Sequence, residues 1–304
     1  MSFDIPSSLL DALSREKITY AENFSVRENC SFKIGGKVAL ALFPTDSGQL
    51  VKSVSLLDMH GVKFEILGNA SNVLFAFDTY NGAFIFTDKV TKTEISGNRI
   101  YCDAGVSLTH LANIAAANSL GGLEFAFGIP ALVGGAIYMN AGAYGGQISD
   151  VIEHTLAYDR KTGSAVKLSD NRFGYRQSIY MQNPNLICVS AVFELCERPS
   201  EEIRAQMAAN AASRREKQPL DLPSAGSYFK RPEGHFAGKL IEDCGLKGLR
   251  VGDAMVSPKH AGFIVNVGEA TYSDVLQLEE KIKEEVMRRF GVELEREVRL
   301  ITDK

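Results

Sequence analysis

A long, uncharged and glycine-rich stretch in the middle of the chain restricts its fold more than any other feature. No charged residue occurs from Phe125 to Ser149, and eight glycines lie between Gly121 and Gly146. Glycine weakens regular helices and strands but lets a backbone turn sharply or approach another group closely. We therefore expect neither a regular helix nor a regular strand here, and a backbone cradle for a large, flat or phosphorylated ligand. The pattern alone leaves a buried loop–strand–loop equally open.

The composition excludes several classes of partner. Pro130, Asn140 and the glycines make the same stretch a poor membrane-spanning helix, and no second apolar run accompanies it. A length of 304 residues, with 45% hydrophobic and 23% charged residues, is typical of a soluble globular protein and favours two domains. The net charge of −4 gives no electrostatic reason to expect nucleic acid or an anionic membrane as a partner. A phosphate group would therefore be bound locally.

Cysteine and histidine give no sign of a disulfide framework or a metal site. The five cysteines are odd in number and scattered without a Cys-x-x-Cys pair, and the five histidines lack metal-ligand spacing. The N-terminal segment MSFDIPSSLL has no basic residue ahead of a long apolar core, unlike a secretory signal. We expect free thiols, no metal and a cytoplasmic location.

The pattern of the first part of the chain predicts a mixed α+β domain with many short strands. Asp46 or Ser47 is placed to cap one helix, and Ser107 is placed to cap another. A strand from Phe64 to Leu67 runs into the loop of residues 68–72, whose small side chains and exposed amides are typical of loops that accept phosphate oxygens.

The composition changes at Pro199, and we place a domain boundary there. Residues 1–198 would form the first domain and residues 199–304 a smaller second domain. A helix is predicted from Ser200 to the residues before Pro219, because its acidic start and basic end suit the helix dipole.

Two further elements are predicted in the second domain. The periodicity from Ser273 to Phe290 indicates a long amphipathic helix, supported by the i,i+4 pair of Glu279 and Lys283. The segment from Val292 to Ile301 alternates apolar and charged residues, which predicts a strand with one polar face.

Short motifs occur along nearly the whole chain in an order that is specific when they are taken together. They are Leu67-Gly68-x-x-Ser71-Asn72, Gly128-Ile129-Pro130, Gly134-Gly135-Ala136, Asn140-Ala141-Gly142, Phe173-Gly174-Tyr175-Arg176, Lys217-x-Pro219, Ala225-Gly226-Ser227 and Lys259-His260-Ala261-Gly262. In this order they resemble the motifs of the UDP-N-acetylenolpyruvoylglucosamine reductases of peptidoglycan synthesis. The run Arg231-Pro232-x-Gly234-His235 is similar to the shorter, second class of that family.

The resemblance implies a fold and its cofactors. It implies an α+β protein with an FAD-binding domain of the vanillyl-alcohol-oxidase type in two subdomains, divided near residue 88, and a smaller α+β substrate-binding domain. It also implies non-covalent FAD, NADPH as co-substrate and a UDP-sugar enolpyruvyl ether as substrate. Backbone amides would meet the FAD pyrophosphate, since such donors offset buried phosphate charge. The cofactor-binding residues so implied are Gly68, Asn69, Ala70, Ser71, Asn72, Gly128, Ile129, Gly134, Gly135, Ala136, Asn140 and Ala141.

The resemblance also implies three catalytic residues. In this family NADPH reduces FAD, and a hydride then passes to the enolpyruvyl double bond, so that negative charge develops on the adjacent carbon as an enolate. Ser227 matches the proton donor to that carbon, Arg176 the cation that polarises the substrate carboxylate, and Glu297 the acidic group opposite. The implied substrate-binding residues are Tyr175, Lys217, Arg214 and Arg231.

Four departures from the family pattern stand beside the intact catalytic trio. Ala70 replaces a usual glycine, Cys30 a common threonine and Arg296 a common proline. Ala131-Leu132 replaces a usual Gly-Ser or Gly-Thr at the cofactor loop, where a side chain could weaken FAD binding or shift the loop.

Two alternative functions stay open at this point. One is a sugar or lactone oxidase of the same fold that uses oxygen. The set of Tyr175-Arg176, Ser227 and Glu297 argues against it, because an oxidase has no enolate to protonate. The other is a flavin- or nucleotide-binding regulatory protein without turnover, which the altered Ala131-Leu132 loop keeps open.

Overall fold

The chain combines helices with short strands throughout. The computed structural model describes residues 5–303, so the first four residues of the N-terminal segment that we interpreted as lacking a secretory signal lie outside the described residues. The helices are α1 (Ser7–Arg15), α2 (Ser47–Met59), α3 (Leu108–Ala117), α4 (Val133–Met139), α5 (Ile179–Gln182), α6 (Ser200–Lys217), α7 (Ala237–Asp243) and α8 (Tyr272–Phe290).

The strands are short and numerous, as the sequence predicts. They are β1 (Thr19–Ser25), β2 (Lys37–Phe43), β3 (Phe64–Leu67), β4 (Val73–Phe75), β5 (Thr79–Phe86), β6 (Thr93–Ser96), β7 (Arg99–Asp103), β8 (Leu120–Gly121), β9 (Gly142–Ala143), β10 (Gly146–Gln147), β11 (Ile152–Asp159), β12 (Ser164–Leu168), β13 (Leu186–Glu194), β14 (Cys196–Glu197), β15 (Ser224–Ser227), β16 (Arg250–Val251), β17 (Ala254–Val256), β18 (Phe263–Asn266) and β19 (Arg299–Ile301).

Three larger sheets organise these strands. Their strand orders are β1-β2-β5-β3, β12-β11-β13-β7-β6 and β15-β18-β17-β16. The second sheet is antiparallel throughout, whereas β3 runs parallel to β5. A separate parallel pair joins β4 to β19, with Val73 opposite Arg299.

Local capping chemistry explains why the predicted helices begin where they do. The Asp46 carboxylate accepts a hydrogen bond from the Gln49 amide at 2.8 Å, and the Ser107 hydroxyl accepts one from His110 at 3.1 Å. Thr271 forms a reciprocal capping box with Asp274 at the start of α8. These contacts satisfy amides that have no partner within the helix. They confirm the predicted cap at Ser107 and show that Asp46, rather than Ser47, caps α2.

The described residues divide into two compact units that interleave along the chain. The first unit runs up to Glu22 and includes Leu40–Asn69 and Gly82–Arg214. The second consists of Asn23–Ala39, Ala70–Asn81 and the residues from Arg215 onward. The change at Arg214 falls inside α6, whereas the predicted domain boundary lies at the beginning of that helix. The division into residues 1–198 and 199–304, with a subdomain boundary near 88, stays a prediction.

Each unit has its own apolar core. In the first unit, one buried cluster gathers side chains between Leu9 and Val90 together with Tyr158. A second cluster gathers side chains between Ile100 and Met207. The second unit is built on a single cluster that includes Phe32, Leu74 and the inward side chains of α8.

Two sequence expectations are wrong in part. The glycine-rich stretch does contain a regular helix, the seven-residue α4 (Val133–Met139), because its glycines allow close packing rather than only turns. The segment after Phe290 forms a strand only over Arg299–Ile301, where β4 offers a partner. Leu294 is nevertheless buried, so the apolar side of the alternation faces the core as expected.

Residues 5–303 contain neither a candidate membrane-spanning helix nor a candidate metal-ligand cluster. Within this range no helix has the length and apolar character needed to cross a membrane. The same residues contain no group of three or more histidine, cysteine or acidic side chains placed to hold a metal ion. All five cysteines are free, with Cys30 and Cys102 buried and Cys196 exposed.

Candidate active site

The two units divide the predicted site residues between them. The first unit carries Gly68, Asn69, Gly128, Ile129, Gly134, Gly135, Ala136, Asn140, Ala141, Tyr175, Arg176 and Arg214. The second carries Ala70, Ser71, Asn72, Lys217, Ser227, Arg231 and Glu297. The predicted phosphate loop therefore changes from one unit to the other between Asn69 and Ala70.

Helix α4 is held against the segment that leads into α3. The Gly134 amide donates to the Ala104 carbonyl and the Val133 amide to the Val106 carbonyl, both at 2.8 Å. A Cβ at Gly134 would lie only 3.0 Å from the Ala104 Cβ. Glycine is used here because the two backbones approach each other closely.

Within the glycine-rich stretch, most amides of the predicted cofactor-binding residues already have an acceptor inside the protein. Besides the Gly134 bond, the Gly128 amide donates to Thr109 Oγ1 and the Ile129 amide donates to the Ala126 carbonyl. The amides of Ala136, Asn140 and Ala141 donate to the carbonyls of Leu132, Ile137 and Ala136, respectively. Gly135 differs, since it is exposed and a Cβ there would meet no atom within 4 Å. The stretch thus offers an open surface at Gly135, while its other glycines mainly shape the backbone.

The Ala131-Leu132 departure is accommodated inside the first unit. The Leu132 side chain is 4% exposed, and a Cβ at Gly68 would come within 3.2–3.3 Å of three Leu132 side-chain atoms. The Ala131 carbonyl accepts from the Leu108 amide at 3.0 Å. Leu132 therefore packs inward over Gly68, the glycine that follows β3, which explains why a large side chain fits at this position.

This packing predicts that a smaller residue at position 132 destabilises the protein. We expect Leu132→Ser to lower the free energy of unfolding by about 3 kcal/mol, because it removes a buried side chain and leaves a cavity. Urea unfolding followed by circular dichroism measures the change. Leu220→Ser is the matched control, since Leu220 is 55% exposed and the same change should cost less than about 0.5 kcal/mol there. Equal stability of the two variants would contradict the packing argument.

Asn140 connects the glycine-rich stretch to the turn that carries Arg176. It ends α4 in the left-handed conformation, with φ of 44°, and its side chain is buried. Its Nδ2 donates to the Gly174 carbonyl at 3.0 Å, and its Oδ1 accepts from the Ser149 amide at 3.0 Å. The Asn140 side chain therefore holds protein groups on either side, a role that the motif alone did not reveal.

Arg176 lies in a tight two-residue turn. Gly174 and Gln177 close the turn with reciprocal backbone hydrogen bonds of 3.1 and 3.2 Å, and Arg176 adopts a φ of 54°. Its guanidinium donates to the Asn140 carbonyl at 3.4 Å and to the Gly142 carbonyl at 3.3 Å. A left-handed conformation is costly for a residue other than glycine and is concentrated at functional sites. The preceding Tyr175 is 51% exposed.

Arg214 is, besides Arg176, a predicted site residue of the first unit that carries a positive charge. Its guanidinium lies 5.6 Å from the centre of the Tyr144 ring, and its Nε would be 3.6 Å from a Cβ at Gly128. Burial lowers the pKa of Arg214 from its ordinary value, although a guanidinium stays protonated in proteins. Arg214 thus places a positive charge beside the first motif of the glycine-rich stretch.

Ser227 is exposed at the end of β15 and lies between the buried residues Ala225 and Tyr228. Strand β15 pairs with β18, and an irregularity between Ser224 and Ser227 interrupts the register. Gly226 has a φ of 80°, which turns the chain so that Ala225 and Tyr228 face the core while Ser227 faces solvent. The Tyr228 amide donates to the Gly262 carbonyl at 2.8 Å and fixes the far side of the serine.

The structure brings Glu297 and Asn72 to the same place as Ser227. The Glu297 amide donates to the Tyr228 carbonyl at 2.9 Å, so the glutamate is tied to the residue next to the serine. Asn72 Nδ2 donates to the Glu297 carbonyl at 3.2 Å, and the Asn72 carbonyl accepts from Arg299 at 2.9 Å. Three motifs that are far apart in sequence therefore meet within the second unit.

The remaining predicted residues of the second unit lie in other surroundings. Lys217 is exposed at the end of α6. The Arg231 guanidinium lies 3.8 Å above the centre of the exposed Phe236 ring. Ala70 is buried in a left-handed conformation with φ of 46°, and its carbonyl accepts from the Ser31 hydroxyl at 3.3 Å. The binding roles of these residues stay predictions.

The burial of Glu279 is not predicted by the charge pattern of the sequence. The predicted ion pair with Lys283 is present at 2.6 Å, but the Glu279 side chain is only 3% exposed. The helical periodicity does indicate this burial, because position 279 falls among the inward positions of α8, next to Leu278 and between Val275 and Ile282.

Comparison with known proteins gives the family context. The model of the UDP-N-acetylenolpyruvoylglucosamine reductase C-terminal domain matches residues 218–301, and an FAD-binding domain model matches residues 38–169. The chain is 44% identical to a UDP-N-acetylenolpyruvoylglucosamine reductase of Caldicellulosiruptor bescii, over 95% of this chain and 93% of the relative. It is 41% identical to that of Clostridium novyi, over 100% and 98%.

A solved structure supports the same relationship. The UDP-N-acetylenolpyruvylglucosamine reductase (MurB) of Thermus caldophilus superposes with a TM-score of 0.78 at 32% identity, covering 93% of this chain and 98% of that chain. Together with the FAD-binding model, this confirms the expected α+β fold with an FAD-binding domain of the vanillyl-alcohol-oxidase type.

Proposed function

Because the chain belongs to the UDP-N-acetylenolpyruvoylglucosamine reductases, a family of FAD-dependent oxidoreductases, we propose that it uses NADPH to reduce UDP-N-acetylglucosamine enolpyruvate to UDP-N-acetylmuramate. The reaction would serve peptidoglycan precursor synthesis. The observation that carries this proposal is the joining of the Ser227 and Glu297 segments through the Tyr228 carbonyl. The expected cytoplasmic location stays a prediction.

The residues of the first unit fit a flat, non-covalently bound flavin. Gly135 leaves space that a side chain would fill, and Arg214 adds a positive charge beside Gly128. The residues of this unit that would hold FAD are those of the glycine-rich stretch, together with Gly68 and Asn69 after β3. When bound, FAD supplies the transfer of a hydride from NADPH to the enolpyruvyl double bond.

The chain's own residues would then stabilise the negative charge that develops on the substrate and supply the proton that neutralises it. The hydride adds to one carbon of the double bond, and the electron pair moves to the neighbouring carbon and its carboxylate. The planar Arg176 guanidinium suits that carboxylate, because two of its N–H groups can bind two oxygens at once. The exposed Ser227 hydroxyl donates a proton to the neighbouring carbon and completes the saturated lactyl ether, with Glu297 as the acidic group opposite.

Reduction and recolouring of the bound flavin test the proposal directly. We expect the purified protein to be yellow, to be bleached by NADPH under anaerobic conditions, and to be recoloured by UDP-N-acetylglucosamine enolpyruvate. Absorbance near the flavin band follows both steps in a stopped-flow instrument. A protein that takes up no FAD would contradict the proposal, as would a reduced flavin that only oxygen reoxidises.

A further inference from the structure

One carboxylate is buried in the core of the second unit by helix α8. The Glu279 side chain is 3% exposed and lies among the apolar inward positions of the helix. Lys283 Nζ is 2.6 Å from its Oε1. A carboxylate in such surroundings is retained only where hydrogen bonds and opposite charges compensate its lost hydration.

The other carboxylate oxygen contacts two segments that are far apart in sequence. The Tyr228 hydroxyl donates to Oε2 at 2.8 Å, and Arg296 reaches the same oxygen with Nε at 2.8 Å and Nη2 at 2.7 Å. Tyr228 directly follows Ser227, and Arg296 directly precedes Glu297. A single oxygen atom thus binds the chain neighbours of both proposed catalytic residues of this unit.

We propose that Glu279 is a positioning residue that fixes Ser227 and Glu297 relative to each other. This inference rests on the proposed function, because it concerns the two residues assigned there. Two backbone contacts join the segments. The Glu297 amide donates a hydrogen bond to the Tyr228 carbonyl, and Phe229 forms an isolated β-bridge with Arg296. The carboxylate adds a side-chain link to both segments, so that neither segment shifts without breaking a charge-assisted hydrogen bond.

The charge state of Glu279 is consistent with this role. Burial by itself raises the pKa of the Glu279 carboxyl, but hydrogen bonds from Lys283, Arg296 and Tyr228 outweigh it and leave the pKa below its usual value. Burial beside Glu279 also raises the pKa of Tyr228, so the phenol keeps its proton and acts as a donor. The link therefore consists of an anionic acceptor with one neutral and two cationic donors.

Three substitutions separate positioning from general stabilisation. Tyr228→Phe and Arg296→Gln each remove a donor beside Ser227 or Glu297, whereas Lys283→Gln removes a donor to the same carboxylate from within α8 and is the matched control. The first readout is hydrogen exchange of the Glu297 and Val298 amides, both of which face the Tyr228 carbonyl. We expect faster exchange in the first two variants and wild-type exchange in the control.

The second readout divides the reaction into its two halves. A misplacement of about 1 Å costs on the order of 10²-fold in rate, so we expect Tyr228→Phe and Arg296→Gln to slow flavin reoxidation by the enolpyruvyl substrate about tenfold or more. Flavin reduction by NADPH should stay within about twofold of wild type, since it does not use these residues. Arg296→Lys, which keeps the charge, should recover part of the loss.

The possible outcomes distinguish this inference from the proposed function. Equal effects of all three substitutions, or equal slowing of both halves, would overturn positioning in favour of a purely structural role. If wild-type reduced flavin is not reoxidised by the substrate, the proposed function itself is overturned. The hydrogen-exchange measurement would then still decide whether Glu279 anchors the two segments.

Discussion

Ser227→Ala is expected to slow reoxidation of the reduced flavin by the enolpyruvyl substrate by roughly 10²–10⁴-fold, the range for loss of a positioned general acid. The hydroxyl is exposed at the end of β15, and its removal leaves the buried neighbours Ala225 and Tyr228 in place. Reduction of the flavin by NADPH needs no proton from this serine and should change little. Anaerobic stopped-flow absorbance measures the two half-reactions separately.

Ser224→Ala is the control for this prediction. Ser224 lies on the same strand, on the other side of Gly226, and its hydroxyl accepts a long hydrogen bond of 3.4 Å from the Gly226 amide. We expect both half-reactions to stay near wild type in this variant. A Ser227→Ala protein that loses both half-reactions equally would contradict the role of proton donor.

The second large effect is expected at Arg176, because a positive charge alone should not suffice to bind the substrate carboxylate. In Arg176→Lys the ammonium keeps the positive charge but loses the planar pair of donors, and hydrogen bonds to charged groups contribute about 1.5–3 kcal/mol each. We therefore expect kcat/KM for the enolpyruvyl substrate to fall by roughly 10–100-fold. Steady-state kinetics with varied substrate, together with the rate of flavin reduction, gives this value.

Arg172→Lys is the matched control, because Arg172 precedes the same turn and has a similar left-handed φ of 48° against 54° for Arg176. Its side chain is exposed, and the substitution should leave kcat/KM within about twofold. Similar losses in the two variants would mean that the segment is sensitive to any substitution, and Arg176 would lose its role at the substrate carboxylate.

The features that the sequence predicts well are those decided by neighbouring residues. The helices after Asp46 and Ser107 follow from side chains that satisfy the first free amides. Helix α6 begins at the predicted Ser200, and α8 covers the predicted range to Phe290. In these cases capping, charge and periodicity all favour the same structure.

The features that the sequence does not predict depend on distant partners. Helix α4 contains two adjacent glycines and would be unstable alone, but the Ala104 and Val106 carbonyls accept from its first amides. The buried state of Glu279 depends on Arg296 and Tyr228, which no local pattern connects to it. The motifs named Ser227 and Glu297 as partners, yet the hydrogen bond through Tyr228 that joins their segments is visible only in the fold.

The pairing of β4 with β19 has a consequence for how the protein is made. Asn72 and Glu297, at the edge of this pair, are separated by 225 positions, so Val73–Phe75 leaves the ribosome long before its parallel partner exists. Its hydrogen-bonding groups must stay unpaired or be protected by other contacts while the intervening residues are synthesised, and contacts between such distant residues slow folding. We expect truncation before Arg299 to give a protein that is produced but aggregates, and co-expression with a chaperone to improve the yield of the full chain.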